Sequence, residues 1–235
     1  YHITKLVRPN TTLISINFPH NPTGAILSRD RFDALINLCR KYGIYLFSDE
    51  VYRPLGAAGT VHLPQVVDVY ERGLSLGVMS KAYGLPGLRV GWIACRDRAL
   101  LQRMERIKHY LSICNAAPSE QLALIALQNR GRILARNCAL VTENLKHLRA
   151  FFARWPSRVE WSPPDGGCVA YPRYLGREGV EVFCQNILQQ HGVLLLPASV
   201  YRSTLTQTPV DRFRIGFGRR NIEAGLAQMD AFFAE

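Results

Sequence analysis

Apolar residues recur along this chain with two different periods. Short apolar runs at Leu13 to Ile16, Ile44 to Phe47, Gly73 to Met79 and Val90 to Ala94 have strand length and are bounded by polar or Gly/Pro-rich stretches, so they predict buried strands. Between the first two runs, Phe32, Leu35, Ile36 and Cys39 return every three or four residues over Ser28 to Tyr42. That spacing predicts an amphipathic helix capped by Ser28, and with its flanking strands a parallel βαβ unit. Asp97 stands where it would cap a helix whose apolar positions are Leu100, Met104, Ile107 and Leu111, and Pro118 to Gln128 predicts another. Leu134, Cys138, Val141, Leu145, Leu148 and Phe152 keep helical spacing over a longer stretch.

Beyond Pro156 the pattern changes. Short strands are expected near Val159 to Trp161, Cys168 to Tyr171, Val193 to Leu196 and Phe213 to Ile215, with helices at Val180 to Gln190 and Asn221 to Phe233. This is an α+β arrangement around a small sheet. Neither an internal repeat nor a low-complexity stretch interrupts the chain.

Composition narrows the class. With 235 residues and 48% hydrophobic content the chain can bury one large core or two modest ones. Its six cysteines show no Cys-x-x-Cys pairing and no ligand-like spacing with the six histidines, so neither zinc nor a disulfide framework is expected, and a cytoplasmic setting is. No apolar run is long enough to span a bilayer. The balance of 29 basic to 18 acidic residues gives +11, which alone would suggest a polyanion partner. The basic residues are spread out, however, and no nucleic-acid module accompanies them, so a solvated basic face is expected, with no nucleic-acid partner.

Four segments carry candidate chemistry. Lys81, in Ser80-Lys81-Ala82-Tyr83-Gly84-Leu85-Pro86-Gly87-Leu88-Arg89, falls between a strand and a Gly/Pro-rich loop, at the carboxyl end where α/β sheets collect ligands. A lone lysine there is usually a solvated charge. Asn21-Pro22-Thr23-Gly24 comes after the first strand and by itself is a strand-to-helix turn; Asp49-Glu50-Val51-Tyr52 closes the second strand, where an acidic residue usually caps the next helix. In Phe213-Arg214-Ile215-Gly216-Phe217 an arginine interrupts an inward-facing apolar strand, and a partly buried guanidinium needs an anionic partner.

In this order, and with spacings 49 − 21 = 28 and 89 − 81 = 8, the four segments resemble the aminotransferase class I and II family, pyridoxal 5′-phosphate (PLP) enzymes of fold type I. The resemblance runs from about Leu13 to the C-terminal helix. It implies an α/β fold: a large PLP-dependent transferase-like domain with a mostly parallel, incomplete sheet at residues 1–143, then a small α+β C-terminal domain at residues 144–235 that includes the linking helix. It further implies that Lys81 holds the cofactor aldehyde as a Schiff base and later moves a proton, a dual role that calls for an uncharged amine in apolar surroundings. Asp49 would face the pyridine nitrogen and keep the ring an electron sink. Asn21 and Tyr52 would hydrogen-bond its phenolic oxygen, Arg89 and Ser80 would bind its phosphate, and Arg214 would pair with the substrate α-carboxylate. Asp165-Gly166-Gly167 would turn a strand toward the substrate, with Arg173 and Tyr201 either lining that side or lying on the surface.

Two departures from the family pattern stand out. Val78 occupies a position, three before the lysine, where many members have a phosphate-binding hydroxyl. The chain also begins only twenty residues before Asn21, whereas members carry there a phosphate loop, a ring-stacking aromatic and much of the side-chain pocket. The expected activity is transfer of an amino group between an amino acid and a 2-oxo acid by a homodimer. The same apparatus serves PLP-dependent carbon–sulfur lyases and other non-transaminating enzymes, and a truncated inactive member would keep the same motifs.

Overall fold

The computed structural model describes residues 3–235, which form two compact units. The first comprises the chain up to Pro19, Ile26–Pro54 and Val61–Ala135; the second comprises His20–Ala25, Leu55–Thr60 and Arg136–Glu235.

In the first unit, strands β1 (Leu13–Asn17), β2 (Tyr45–Asp49), β3 (Gly73–Val78) and β4 (Gly91–Cys95) form one sheet in the order β1-β2-β3-β4. The first three are parallel and β4 runs antiparallel to β3. Helix α1 (Arg29–Tyr42) makes the crossover between β1 and β2, as its periodicity predicts. Ser28 accepts a hydrogen bond from the Arg31 N–H, and Gly43 ends the helix at φ +64°, a left-handed position that glycine adopts without a Cβ penalty. Phe32, Leu35, Ile36 and Cys39 from one face of α1 pack with Ile44, Leu46, Leu63, Val66 and Tyr70, and burying each large apolar side chain contributes roughly 1.5–3 kcal/mol. A short helix, α2 (Val66–Val69), leads into β3.

Helix α3 (Arg98–Leu111) starts where Asp97 accepts from the Leu100 N–H, and α4 (Ala117–Gln128) comes next. The apolar stripe of α3 is not buried: Ile107, Tyr110 and Leu111 are all exposed. Helical spacing and a cap were enough to form α3, but no described element covers its apolar side. No helix among the described residues is long and apolar enough to cross a membrane.

Helix α5 (Arg130–Arg154) carries the chain into the second unit. Val141, Leu145, Leu148, Phe151 and Phe152 line its buried face. Strands β6 (Val169–Ala170), β9 (Phe213–Gly216) and β8 (Leu196–Pro197) make an antiparallel sheet, and β5 (Val159–Glu160) pairs with β7 (Arg173–Tyr174). Helices α6 (Val180–His191) and α7 (Ile222–Ala234) complete the unit. Its core is aromatic: the Tyr174 ring stacks on Phe183 at 4.1 Å, and Phe183 also meets Phe213 and Phe233.

One expectation needs correction. The strand expected over Val193 to Leu196 lies at Leu196–Pro197, because Leu196 is the residue that registers against Arg214. Packing changes over between Ala135 and Arg136, and two short segments before Val61 belong with the C-terminal unit. Thr142 Oγ1 accepts from the Ala58 N–H at 3.0 Å, which ties the segment Leu55–Thr60 to α5. Asn144, buried, donates from Nδ2 to the carbonyls of Phe217 (2.8 Å) and Arg219 (2.7 Å), so it sits well inside the second unit.

Candidate functional site

Parallel pairing places the carboxyl ends of β1, β2 and β3 along one edge of the first unit's sheet, with Asn17 beside Asp49 and Asp49 beside Leu76. The antiparallel β4 begins at that same edge, since Val78 pairs with Gly91. Lys81, Ser80 and Arg89 therefore stand on a connection from β3 to β4 over the edge that also presents Asp49, and sheet topology explains why segments distant in sequence meet there.

Asp49 is held through its backbone on one side: its carbonyl accepts from Asn17 Nδ2 (3.1 Å) and from the Phe18 N–H (3.3 Å). Its carboxylate accepts from the Val51 N–H at 3.2 Å. Tyr52 is buried, and the Lys81 Nζ lies 5.8 Å from the centre of its ring. Arg89 sits at φ +54°, a left-handed conformation, and donates to the Pro86 carbonyl at 3.0 Å and to Ser80 Oγ at 3.5 Å. Among the described residues none of Asp49, Lys81 and Arg89 takes part in an ion pair. The apolar surroundings expected for Lys81 are not supplied here, because its side chain is exposed.

In the second unit the Asn21 turn is drawn tight by hydrogen bonds from the His20 N–H to the Ala25 carbonyl (2.8 Å) and from the Gly24 N–H to the His20 carbonyl (2.7 Å). His20 Nδ1 and Thr23 Oγ1 share a further one at 2.8 Å, and burial lowers the imidazole's pKa below its ordinary 6.5. Gly24 has φ +70°, its carbonyl accepts from the Gly166 N–H, and a Cβ there would come within 2.7 Å of the Val169 carbonyl oxygen. The Asp165-Gly166-Gly167 turn thus packs on the Asn-Pro-Thr-Gly turn.

Arg214 emerges from β9 and donates from Nη1 to Asn21 Oδ1 at 3.1 Å. Its Nε is buried without a hydrogen-bond partner, and no carboxylate among the described residues pairs with it. The guanidinium lies 6.0 Å from the Tyr201 ring, and Tyr201 packs edge-on against Tyr171 at 5.7 Å. Burial raises the pKa of both phenols. Arg173 is a surface residue, paired with Asp211 (2.6 Å) and Glu160 (3.2 Å). The neighbours that motif reading missed are Tyr171 and Glu50. Strand alternation, which puts Leu46, Ser48 and Glu50 on the buried side of β2 and its continuation, is the signal that marks Glu50.

These donors suit PLP. An unpaired carboxylate at a strand end fits a cationic ring nitrogen, an exposed primary amine fits an aldehyde, and a guanidinium beside a hydroxyl fits a phosphate. No grouping of His, Cys, Asp and Glu among the described residues could hold a metal ion.

The chain is 32% identical over 223 residues to capreomycidine synthase of Streptomyces vinaceus, covering 92% of this chain and 54% of that protein. It superposes on a PLP-dependent aminotransferase from Streptococcus suis with TM-score 0.89 and 30% identity, over 99% of this chain and 60% of that one. A PLP-dependent cyclase, OrfR, matches with TM-score 0.85 and 30% identity, over 98% and 60%. The chain spans about half the length of the curated relatives it matches. Residues 2–225 match the family model described as aminotransferase class I and II, and the chain belongs to that family.

Proposed function

We propose that the protein is a PLP-dependent aminotransferase that moves an amino group between an amino acid and a 2-oxo acid. The observation that carries this reading is the edge of the first sheet, where Lys81 reaches toward Tyr52 while the neighbouring strand ends in an Asp49 carboxylate with no cationic partner among the described residues.

Bound there, PLP would supply an electron sink for the substrate's α-carbon. Lys81 would anchor the cofactor through its amine and, once released, carry the proton that leaves the α-carbon. Asp49 would keep the ring nitrogen protonated. Arg89 would hold the phosphate by parallel N–H donors, with Ser80 Oγ beside it. Tyr52 and Asn21 would donate to the ring's phenolic oxygen. Arg214 would grip the α-carboxylate, and its buried, unpartnered Nε supports an anion as the missing partner. We place the protein in the cytoplasm as a homodimer, a setting its six free cysteines suit.

A second reading is net cyclisation or another non-transaminating outcome on the same cofactor. It is favoured by the names of two relatives, capreomycidine synthase and the PLP-dependent cyclase OrfR.

The test is to load the full-length protein with PLP, reduce it with borohydride and map the labelled peptide. A pyridoxyl group on Lys81 supports the proposal; a label elsewhere, or none, overturns it. Trapping a keto-acid product with and without an added 2-oxo acid separates transamination from the second reading.

A further inference from the structure

Glu50 comes directly after Asp49, and strand alternation turns its side chain to the opposite face, where it is only 5% exposed. Oε1 accepts from the Val66 N–H and from Ser75 Oγ, both at 2.9 Å, and Ser75 Oγ in turn accepts from the Val67 N–H at 3.0 Å. Oε2 has no hydrogen-bond partner and lies 3.7 Å from Arg53 Nε, while Arg53 Nη1 donates to the Leu63 carbonyl. A cavity of about 20 Å³, the size of one water, opens beside it, with Ser48, Arg53 and His62 as its other polar walls.

A buried carboxylate is costly, and a neutral cap could satisfy one backbone N–H as well. This one instead joins three segments at once: the end of β2, strand β3 through Ser75, and the segment Leu63–Val67. Asp49 is gripped by its own backbone only on the β1 side, through Asn17 and Phe18. On the β3 side the Glu50 N–H donates to the Leu76 carbonyl, and the chain then turns through Arg53, whose N–H donates to the Glu50 carbonyl. The Glu50 side chain adds a further tie to that turn, from β3 and from the Leu63–Val67 segment.

We propose that Glu50 is a positioning residue: its buried carboxyl fixes the Asp49-to-Tyr52 turn against β3 and the Leu63–Val67 segment, and so sets how the Asp49 carboxylate and the Tyr52 phenol stand toward the pyridine ring of the cofactor. The inference rests on the proposed roles of Lys81 and Asp49.

The test uses the full-length protein with Glu50→Ala, Glu50→Asp and Glu50→Gln. Aspartate keeps the charge but is one methylene too short to reach Val66 and Ser75, whereas glutamine keeps an accepting oxygen. We expect alanine and aspartate to weaken equilibrium PLP binding about tenfold, the loss of one or two buried hydrogen bonds expressed through an anchor. The midpoint of the pH-dependent change in the visible band of the loaded protein should also move, by about half a unit or more, in those two variants. Glutamine should restore both quantities toward wild type. Wild-type affinity and an unmoved midpoint in the aspartate variant overturn the inference, whatever happens to the melting temperature, and this holds even if the alanine variant fails to fold. Borohydride labelling of the wild type keeps the two failures apart: an unlabelled Lys81 overturns the functional reading, while a labelled Lys81 with unaffected variants overturns only the role of Glu50.

Discussion

Arg214 Nη1 donates a 3.1 Å hydrogen bond to Asn21 Oδ1, joining residues 193 positions apart within one compact unit. The contact fixes one arm of the guanidinium and orients the Asn21 amide. A side chain proposed to bind the substrate is thereby coupled to one proposed to bind the cofactor.

Replacement of Arg214 by lysine keeps the charge and loses the planar fork. In the full-length protein, Arg214→Lys should lower kcat/KM for the amino acid about 10²-fold, close to 3 kcal/mol of lost transition-state stabilisation. Steady-state kinetics measure the effect, and an unchanged circular dichroism spectrum shows that the fold is intact. Activity equal to wild type would remove Arg214 from the site.

Because Asn21 and Arg214 touch, their substitutions should not add. A double-mutant cycle with Asn21→Ala and Arg214→Lys is expected to give a coupling energy of about 0.5–3 kcal/mol in kcat/KM. Strict additivity would mean that the hydrogen bond carries no functional coupling.

Gly24→Ala should destabilise the protein by about 2–4 kcal/mol, since φ +70° disfavours any Cβ and the new methyl would press on the Val169 carbonyl and Pro164. The urea midpoint is the measurement. Gly131→Ala, where a Cβ meets nothing within contact range in a helical setting, is the control and should be neutral or slightly stabilising.

Burial raises the Glu50 carboxyl above its ordinary 4.5, against smaller opposing effects of the Val66 N–H, Ser75 and Arg53. The folded state therefore binds this proton more tightly than the unfolded chain does. The contribution of Glu50 to stability is greatest below about pH 4.5 and declines as pH rises through its raised value. Glu50→Gln removes that decline, so its stability relative to wild type should climb between pH 4.5 and neutrality in denaturant titrations. Arg53 and His62 are the other titratable groups facing this carboxyl. A constant difference across that range would show that Glu50 is not the titrating group.

Asn144→Ala should cost about 1–3 kcal/mol, because the carbonyls of Phe217 and Arg219 lose their donor in a buried place. Asn144→Asp should cost more, turning a donor into an acceptor that faces two carbonyl oxygens. Chemical denaturation of the two variants ranks them, and the reverse order would contradict the hydrogen-bond assignment.

Local features were legible in the sequence because they arise within a few residues of one another. Ser28 and Asp97 cap the helices they precede, the apolar period of Phe32 to Cys39 marks the buried face of α1, and the runs Leu13 to Ile16, Ile44 to Phe47 and Gly73 to Met79 mark β1, β2 and β3. The ordered motifs around Asn21, Asp49, Lys81 and Arg214 likewise pointed to one family from residue types alone. Strands of two residues such as β7 were not legible, since so short a run carries no period and forms only because Arg173 and Tyr174 register against Glu160 and Val159. The same limit applies to the division of the chain: helical spacing in α5 is continuous, and only long-range bonds such as Ala58 to Thr142 and Asn144 to Phe217 decide where one unit gives way to the other. Tertiary structure alone brought Arg214 to Asn21 and buried Glu50 against Ser75, for these depend on strand register and chain crossings that no local spacing encodes. It also left the apolar stripe of α3 exposed, because periodicity states which side of a helix is apolar and only packing states what covers it.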